Sequence, residues 1–242
     1  MRQANIYHLY HSGVAIETTN AWLVVDYYND TPSKDRRSLS NGVLDTKDFK
    51  RKKDNLVFVT HNHHDHFNPV IFEWDEEVDI NYILSADVQA KEKDNRYKMD
   101  KYQKLELDDI LVETYGTTDQ GLSFYIEVDG LNIFHAGDLN WWHWKKFSPQ
   151  ERKREEKDFK EELDKLKGKK IDIAFIPVDP RLEEYYYLAG EYFIKTIEPR
   201  LLVPIHFADD YSITSDFAKK VNQLSTKVVE INKRGKKIEF KK

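Results

Sequence analysis

Histidines 61, 63, 64 and 66 and Asp65 crowd the segment THNHHDHF, residues 60–67. Imidazole nitrogens and carboxylate oxygens are ligands for divalent metal ions. The chain has no cysteine, so any such site must be built from His, Asp and Glu. A histidine-rich stretch can also be a tag or a solvated loop with loose metal affinity. This one is internal, is interrupted by Asn62 and Asp65, and follows NLVFVT (Asn55 to Thr60). That apolar, β-branched run predicts a buried strand, so the histidines begin where a rigid element ends. Asn68-Pro69 then predicts a turn. In an extended stretch His61 and His63 project to one side and can reach one ion. Asp65 and His66, past the bend, can serve a second. Such ions lower the pKa of bound water from about 15.7 towards about 7 and stabilise charge on a leaving oxygen, which is hydrolytic chemistry.

The elements that must hold these residues can be read along the chain. NIYHLY, VAIET and AWLVVDYY predict short strands, with turns at Ser12-Gly13 and Asn20, and residues 30–55 predict a polar loop. NYILSA, DILVETYG and LSFYIEVDGLNIFHAGD predict further strands, the last a hairpin turning at Asp129-Gly130. Ser148-Pro149-Gln150-Glu151 is a helix start, with Phe159, Leu163 and Leu166 at helical spacing and Gly168 as the stop. Its mixed charges predict a solvated face rather than a partner-binding arm. IDIAFIPVD and RLLVPIHF predict strands, LAGEYFIKTIE and SDFAKKVNQL helices, and KVVEIN and KKIEF closing strands. Strands interspersed with helices predict an α/β layered fold.

Bulk properties narrow the function classes. The chain has 242 residues, 40% hydrophobic, with no linker or internal repeat, and predicts a single domain over 1–242. Net charge is 38 − 43 = −5, which disfavours nucleic acid and anionic membranes as partners. No signal-peptide core or membrane-length apolar run is evident, so a soluble cytoplasmic protein is expected.

The pattern His-x-His-x-Asp-His after a strand resembles the first metal motif of the metallo-β-lactamase-fold hydrolases. The resemblance extends to Asp138 at the end of IFHAGD, in the place of the family's bridging aspartate, and to His206 at the end of LLVPIHF, in the place of its last histidine. It covers nearly the whole chain and implies a four-layer αβ/βα sandwich, with two sheets face to face and helices outside. The order of HAGD, IPVD, a helix and PRLLVPIH is most similar to the branch that includes L-ascorbate-6-phosphate lactonase. One ligand departs from the family pattern: Thr117, in YGTTDQGLSF, stands where a histidine is usual. Either Asp119 replaces it beside His61, His63 and Asp138, or that metal position is weak. Asp65, His66, Asp138 and His206 form the other. The resemblance thus implies one tight ion and a second, weaker one, with zinc as the default and manganese or iron still open.

It further implies that Asp65 orients the attacking water and that Asp26, at the end of LVVD, supports a ligand histidine; a plain turn role for Asp26 competes. Arg181 is expected to bind a phosphate or carboxylate of the substrate through two parallel hydrogen bonds. His64 is expected to point away. His135 reads equally as a packed residue or a substrate contact, and His11 is a further candidate. The tryptophans of NWWHW could wall a pocket or anchor the following helix. The expectation is a metal-dependent hydrolase acting on a phosphodiester, lactone or other ester of a small anionic molecule, with a homo-oligomer still allowed. Competing readings are a non-catalytic metal-stabilised module, a nuclease or phosphodiesterase acting on nucleic acid, and an iron-dependent redox enzyme.

Overall fold

A computed structural model describes residues 2–242. The N-terminal part of the chain lays down β1 (Gln3–Tyr10), β2 (Gly13–Glu17), β3 (Ala21–Val25), β4 (Asp54–Val59), β5 (Asn81–Ser85) and β6 (Arg96–Met99). The chain then builds β7 (Lys104–Leu107), β8 (Ile110–Tyr115), β9 (Ser123–Val128), β10 (Leu131–His135), β11 (Ile173–Pro177), β12 (Leu201–Ile205) and β13 (Lys227–Val228). It closes with β14 (Lys236–Lys241), which returns to the first sheet beside β1. The first sheet has the order β14-β1-β2-β3-β4-β5-β6 and the second β13-β12-β11-β10-β9-β8-β7. In each sheet an antiparallel half meets a parallel half: β3 to β6 run parallel, as do β10 to β13.

Burial explains the sequence of the central strands. β3, β11 and β12 are buried at every position, as strands covered on both faces must be, and they read as continuous apolar runs. Between the sheets Ile6, Val25 and Phe58 pack against Phe124, Ile133 and Val203. Phe58 and Phe124 meet edge to face at 5.3 Å, directly behind the strand end that carries the histidines. Such a pair is worth about 0.5–1.5 kcal/mol beyond its buried area and pins the sheets together there. Outside the second sheet lie α2 (Pro149–Asp164), α3 (Leu188–Ile197) and α4 (Ser212–Lys220), burying Phe159, Leu163, Phe193 and Phe217. The layered α/β sandwich expected from the sequence is present.

Several local expectations change. The layer outside the first sheet is thin: a four-residue α1 (Thr46–Phe49) and a 3-10 segment (Pro69–Glu76). The expected loop over 30–55 therefore contains a helix, started by a capping box of Asp45 and Asp48. α4 begins and ends earlier than SDFAKKVNQL predicts, so Leu224 lies beyond it, and KVVEIN contributes only the two-residue β13. The Pro149 helix start is as expected, with Ser148 and Glu151 forming a capping box.

Candidate metal centre

Each candidate residue sits just beyond the carboxyl end of a strand, where side chains leave a fixed base and enter a common cleft. Asp26 follows β3, His61 to His66 follow β4, Asp119 follows β8, Asp138 follows β10 and His206 follows β12. The cleft is about 520 Å³ in volume, and His63, Asp65, Asp119, Asp138, Arg181 and His206 all line it.

Asp26 organises the β4 end. It is fully buried, and its Oδ1 accepts from the Thr60 backbone N–H at 2.8 Å. Its Oδ2 accepts from Thr60 Oγ1 at 2.8 Å and from His66 Nδ1 at 2.8 Å. Because the Thr60 hydroxyl proton goes to Asp26, its oxygen accepts from His61 Nδ1 at 3.0 Å. One carboxylate thereby orients two imidazoles. On the opposite sheet Asp179, after β11, accepts from His206 Nδ1 at 3.1 Å. The sequence reading missed Asp179, although IPVD repeats the pattern of LVVD: a buried strand ending in aspartate.

With their Nδ1 protons committed, His66 and His206 carry lone pairs on Nε2. Each Nε2 lies 3.2 Å from Asp138 Oδ1, and His61 Nε2 lies 3.5 Å from Asp138 Oδ2. The Nε2 atoms of His66 and His206 and the Oδ1 of Asp138 are buried without hydrogen-bond partners. Lone pairs facing a carboxylate oxygen at this range repel unless a proton or a metal ion lies between them. Nitrogen and oxygen donors with outer carboxylate partners fit a divalent ion.

Among the described residues, ligand atoms gather in three overlapping sets: His11, Asp65, His66 and His206; His61, His66 and Asp138; and His63, Asp119 and Asp138. Asp119 thus does come to His63 and Asp138, while the Thr117 hydroxyl donates to the Gln120 carbonyl at 2.9 Å. Two contacts place Asp119. The Gly116 N–H donates to the buried Glu162 of α2 at 2.7 Å. Gly121, at φ 83°, lies so close to the β4 end that a Cβ there would sit 2.1 Å from the Thr60 carbonyl oxygen. Gly137, at φ 53°, serves Asp138 likewise, since a Cβ would meet the Leu122 carbonyl oxygen at 2.7 Å.

Other expectations divide. His64 lines the cleft rather than pointing away: it is exposed on the rim, where the turn after His63 carries it. His135 is a buried brace, bonded through Nε2 to the Ser12 carbonyl at 3.0 Å. The tryptophans take both roles. Trp141 packs on Phe159 of α2, while Trp142 and Trp144, parallel to within 1° at 5.7 Å, wall the cleft. Arg181 lines the cleft, but its two parallel hydrogen bonds go to Asp179, from Nε to Oδ1 at 3.0 Å and from Nη2 to Oδ2 at 2.6 Å.

The electrostatics are those of a site built for cations. Burial acts to raise Asp138 and Asp179, yet the neighbouring histidines, and for Asp179 also Arg181, outweigh it. Asp138 lies well below the ordinary carboxylate range and Asp179 falls to about 2. Asp65 is likewise lowered, chiefly by His11. Burial opposes charge on His66, but Asp138 and Asp26 prevail and push it up to about 10. A folded-state pKa above the ordinary 6.5 stabilises the fold fully below about 6.5, and that contribution is lost as pH rises towards 10. Chelator-stripped protein should therefore show a Tm that falls with pH across this window, whereas zinc-loaded protein should not, because an ion takes the proton's place. A flat profile for the stripped protein in thermal melts would contradict this account of His66.

Among the described residues no helix is long and apolar enough to cross a membrane. The family described as beta-lactamase superfamily domain matches residues 5–146. No curated protein matches the chain in sequence. A metallo hydrolase from the hyperthermophilic archaeon Ignicoccus hospitalis is similar in structure over 99% of both chains, with a TM-score of 0.66 and 14% identity. The metallo-beta-lactamase fold protein YhfI of Bacillus subtilis is similar over 99% of this chain and 100% of its own, with a TM-score of 0.63 and 12% identity. A diiron beta-hydroxylase from Streptomyces venezuelae is similar over 98% of this chain but 54% of its own, with a TM-score of 0.60 and 12% identity. Identities this low speak to the fold.

Proposed function

Because the chain belongs to the beta-lactamase superfamily, we propose that it is a metal-dependent hydrolase, cleaving a phosphodiester, lactone or other ester bond of a small anionic molecule. The observation that carries the reading is the buried convergence of His66 Nε2, His206 Nε2 and Asp138 Oδ1, unpartnered, at the base of an open cleft. His66, His206, Asp65 and Asp138 would hold one ion, and His61, His63, Asp119 and Asp138 a second. Bound there, a divalent ion supplies an acidified water and charge neutralisation for the leaving oxygen. Zinc suits nitrogen and oxygen donors without redox demand.

The chain's own residues supply the rest. Asp65 is partly exposed and ionised, fit to accept a hydrogen bond from the attacking water and hold it in line. Trp142, Trp144 and Phe147 give the cleft an apolar wall that excludes water from one side of the substrate. Arg181 brings a guanidinium whose Nη1, unlike Nε and Nη2, is not engaged by Asp179 among the described residues. Asp119 and Glu155 on the lining disfavour a polyanionic strand, so a small molecule is preferred over nucleic acid. Among superfamily branches we place the proposal nearest the L-ascorbate-6-phosphate lactonase, with a cytoplasmic site of action.

The test is hydrolysis by zinc-loaded protein of a phosphorylated lactone, an aryl phosphodiester and a neutral ester. Turnover should vanish with chelator and return with metal. Arg181→Ala should raise KM about tenfold for the anionic substrates, about 1.4 kcal/mol, and little for the neutral one. Equal losses on both would remove Arg181 from substrate binding, and a wild-type protein that binds no metal would end the hydrolase reading. Iron-dependent redox work is the second reading. The carboxylate Asp119 at the second position makes a donor set that also suits iron, and one relative in fold is a diiron hydroxylase. A coloured, iron-containing sample after anaerobic preparation would favour it.

A further inference from the structure

We infer that His11, although it lies among the ligand atoms, serves the metal centre as a fixed N–H donor that positions Asp65 and is not itself a ligand. The inference rests on the metal-centre reading above.

His61, His66 and His206 share one arrangement. Their Nδ1 atoms face acceptors, namely Thr60 Oγ1, Asp26 and Asp179, so the proton sits on Nδ1 and the lone pair on Nε2; Arg181 Nη2, 3.3 Å from His206 Nδ1, instead donates to Asp179 at 2.6 Å. His11 is reversed. Its Nδ1 accepts from the Ala208 backbone N–H at 3.2 Å. A backbone N–H cannot accept a hydrogen bond, so Nδ1 must hold the lone pair and the neutral ring must carry its proton on Nε2. A protonated nitrogen has no lone pair for a metal ion. For Nε2 to ligate, the ring would have to turn its proton against the Ala208 N–H.

The Nε2–H has an acceptor within reach. It is buried without a formed hydrogen bond, 3.6 Å from Asp65 Oδ2, a gap that a modest rotation of the partly exposed carboxylate closes. The ring cannot easily turn away. It packs on the His206 ring at 4.0 Å and against the edge of Tyr28 at 6.3 Å. The His11 carbonyl accepts from the His206 N–H at 3.2 Å, and His11, His206 and Ala208 all hold left-handed backbone angles, at φ 53°, 68° and 48°. Residues other than glycine adopt that region only where the surroundings impose it, and such residues cluster at functional sites. This loop pair joins the ends of β1 and β12, one from each sheet. An N–H donor on Asp65 Oδ2 fixes the carboxylate's rotamer and leaves its other oxygen for the ion and the water.

The test separates a donor from a ligand without needing turnover. In long-range nitrogen spectra of cadmium-loaded wild-type protein, His11 should show a protonated Nε2, an unprotonated Nδ1 and no coupling to cadmium. His11→Ala and His11→Gln should keep the wild-type number of zinc ions per chain by elemental mass spectrometry. Where hydrolysis is measurable, His11→Ala should lower kcat about 10- to 100-fold, the range for loss of an outer hydrogen-bond partner, with KM nearly unchanged. His11→Gln, whose amide can donate from a similar reach, should recover most of that loss. Cadmium coupling to a His11 nitrogen, loss of one zinc per chain in either variant, or an unchanged kcat in His11→Ala would overturn the inference. Should His11→Ala fail to fold, the spectrum of the wild-type ring decides alone. Should the wild type hydrolyse nothing, the proposed function falls while the spectrum and metal count still judge His11.

Discussion

Asp138→Asn should strip metal from both positions and lower kcat/KM by about 10³-fold or more, a loss of about 4 kcal/mol in transition-state stabilisation. Asp138 reaches into both ligand sets: its Oδ1 stands 3.2 Å from His66 and His206 Nε2, its Oδ2 3.5 Å from His61 Nε2, and it completes the set of His63 and Asp119. Asparagine keeps the shape and reverses the chemistry. Its amide N–H can donate to the Nε2 lone pairs that an ion would otherwise take, so the variant should fold well without metal while refusing it. Its Tm should therefore no longer rise on adding zinc, in contrast to wild type. His66 should also lose part of the upward push that Asp138 gives it, flattening the pH dependence of the metal-free melt. A variant with wild-type zinc content, hydrolysing within tenfold of wild type, would show that Asp138 is not shared between two ions.

What the sequence disclosed follows the strength of the local signal around each residue. His61, His63, Asp65 and His66 were legible because their spacing and the strand before them are local. Asp26 was suggested by its place after LVV, and the structure bonds it to His66. Asp179 holds the equivalent place after IPV and bonds His206, 27 positions away, against the 40 between Asp26 and His66, so an aspartate closing a buried strand was the local signal for both and is weak on its own. Strands β6 and β7 escaped notice for a related reason. RYKM and KLEL lie at sheet edges and are only four residues long, so their alternation of charged and apolar residues is too brief to stand out from the polar segments around them. The early start of α4 was hidden because Tyr211 begins it without a side-chain cap. Conversely, NWWHW offered one signal for two jobs, and only the direction of the chain after Asp138 sends Trp141 to the helix and Trp142 to the cleft.

The two metal positions should differ in affinity, and Asp119 should be the reason. The first set draws on buried His66 and His206, each braced by a carboxylate that is itself buried. The second draws on His63, half-buried, and Asp119, exposed, beside buried His61. An exposed carboxylate must give up hydration and side-chain freedom to bind, and among the described residues no outer partner holds it in place, so zinc should titrate in two steps. Asp119→Ala should abolish the second step, weakening it by at least the roughly 100-fold that loss of a mere outer partner can cost, and leave the first nearly unaltered. Hydrolysis should fall with the second ion. Asp119→His should tighten that step by supplying a third imidazole. Thr117→His should not, because residue 117 turns towards the Gln120 carbonyl while residue 119 meets His63 and Asp138. A titration with two equal steps, or a Thr117→His variant that gains affinity where Asp119→His does not, would assign the third ligand to position 117 and leave Asp119 a residue of the cleft rim.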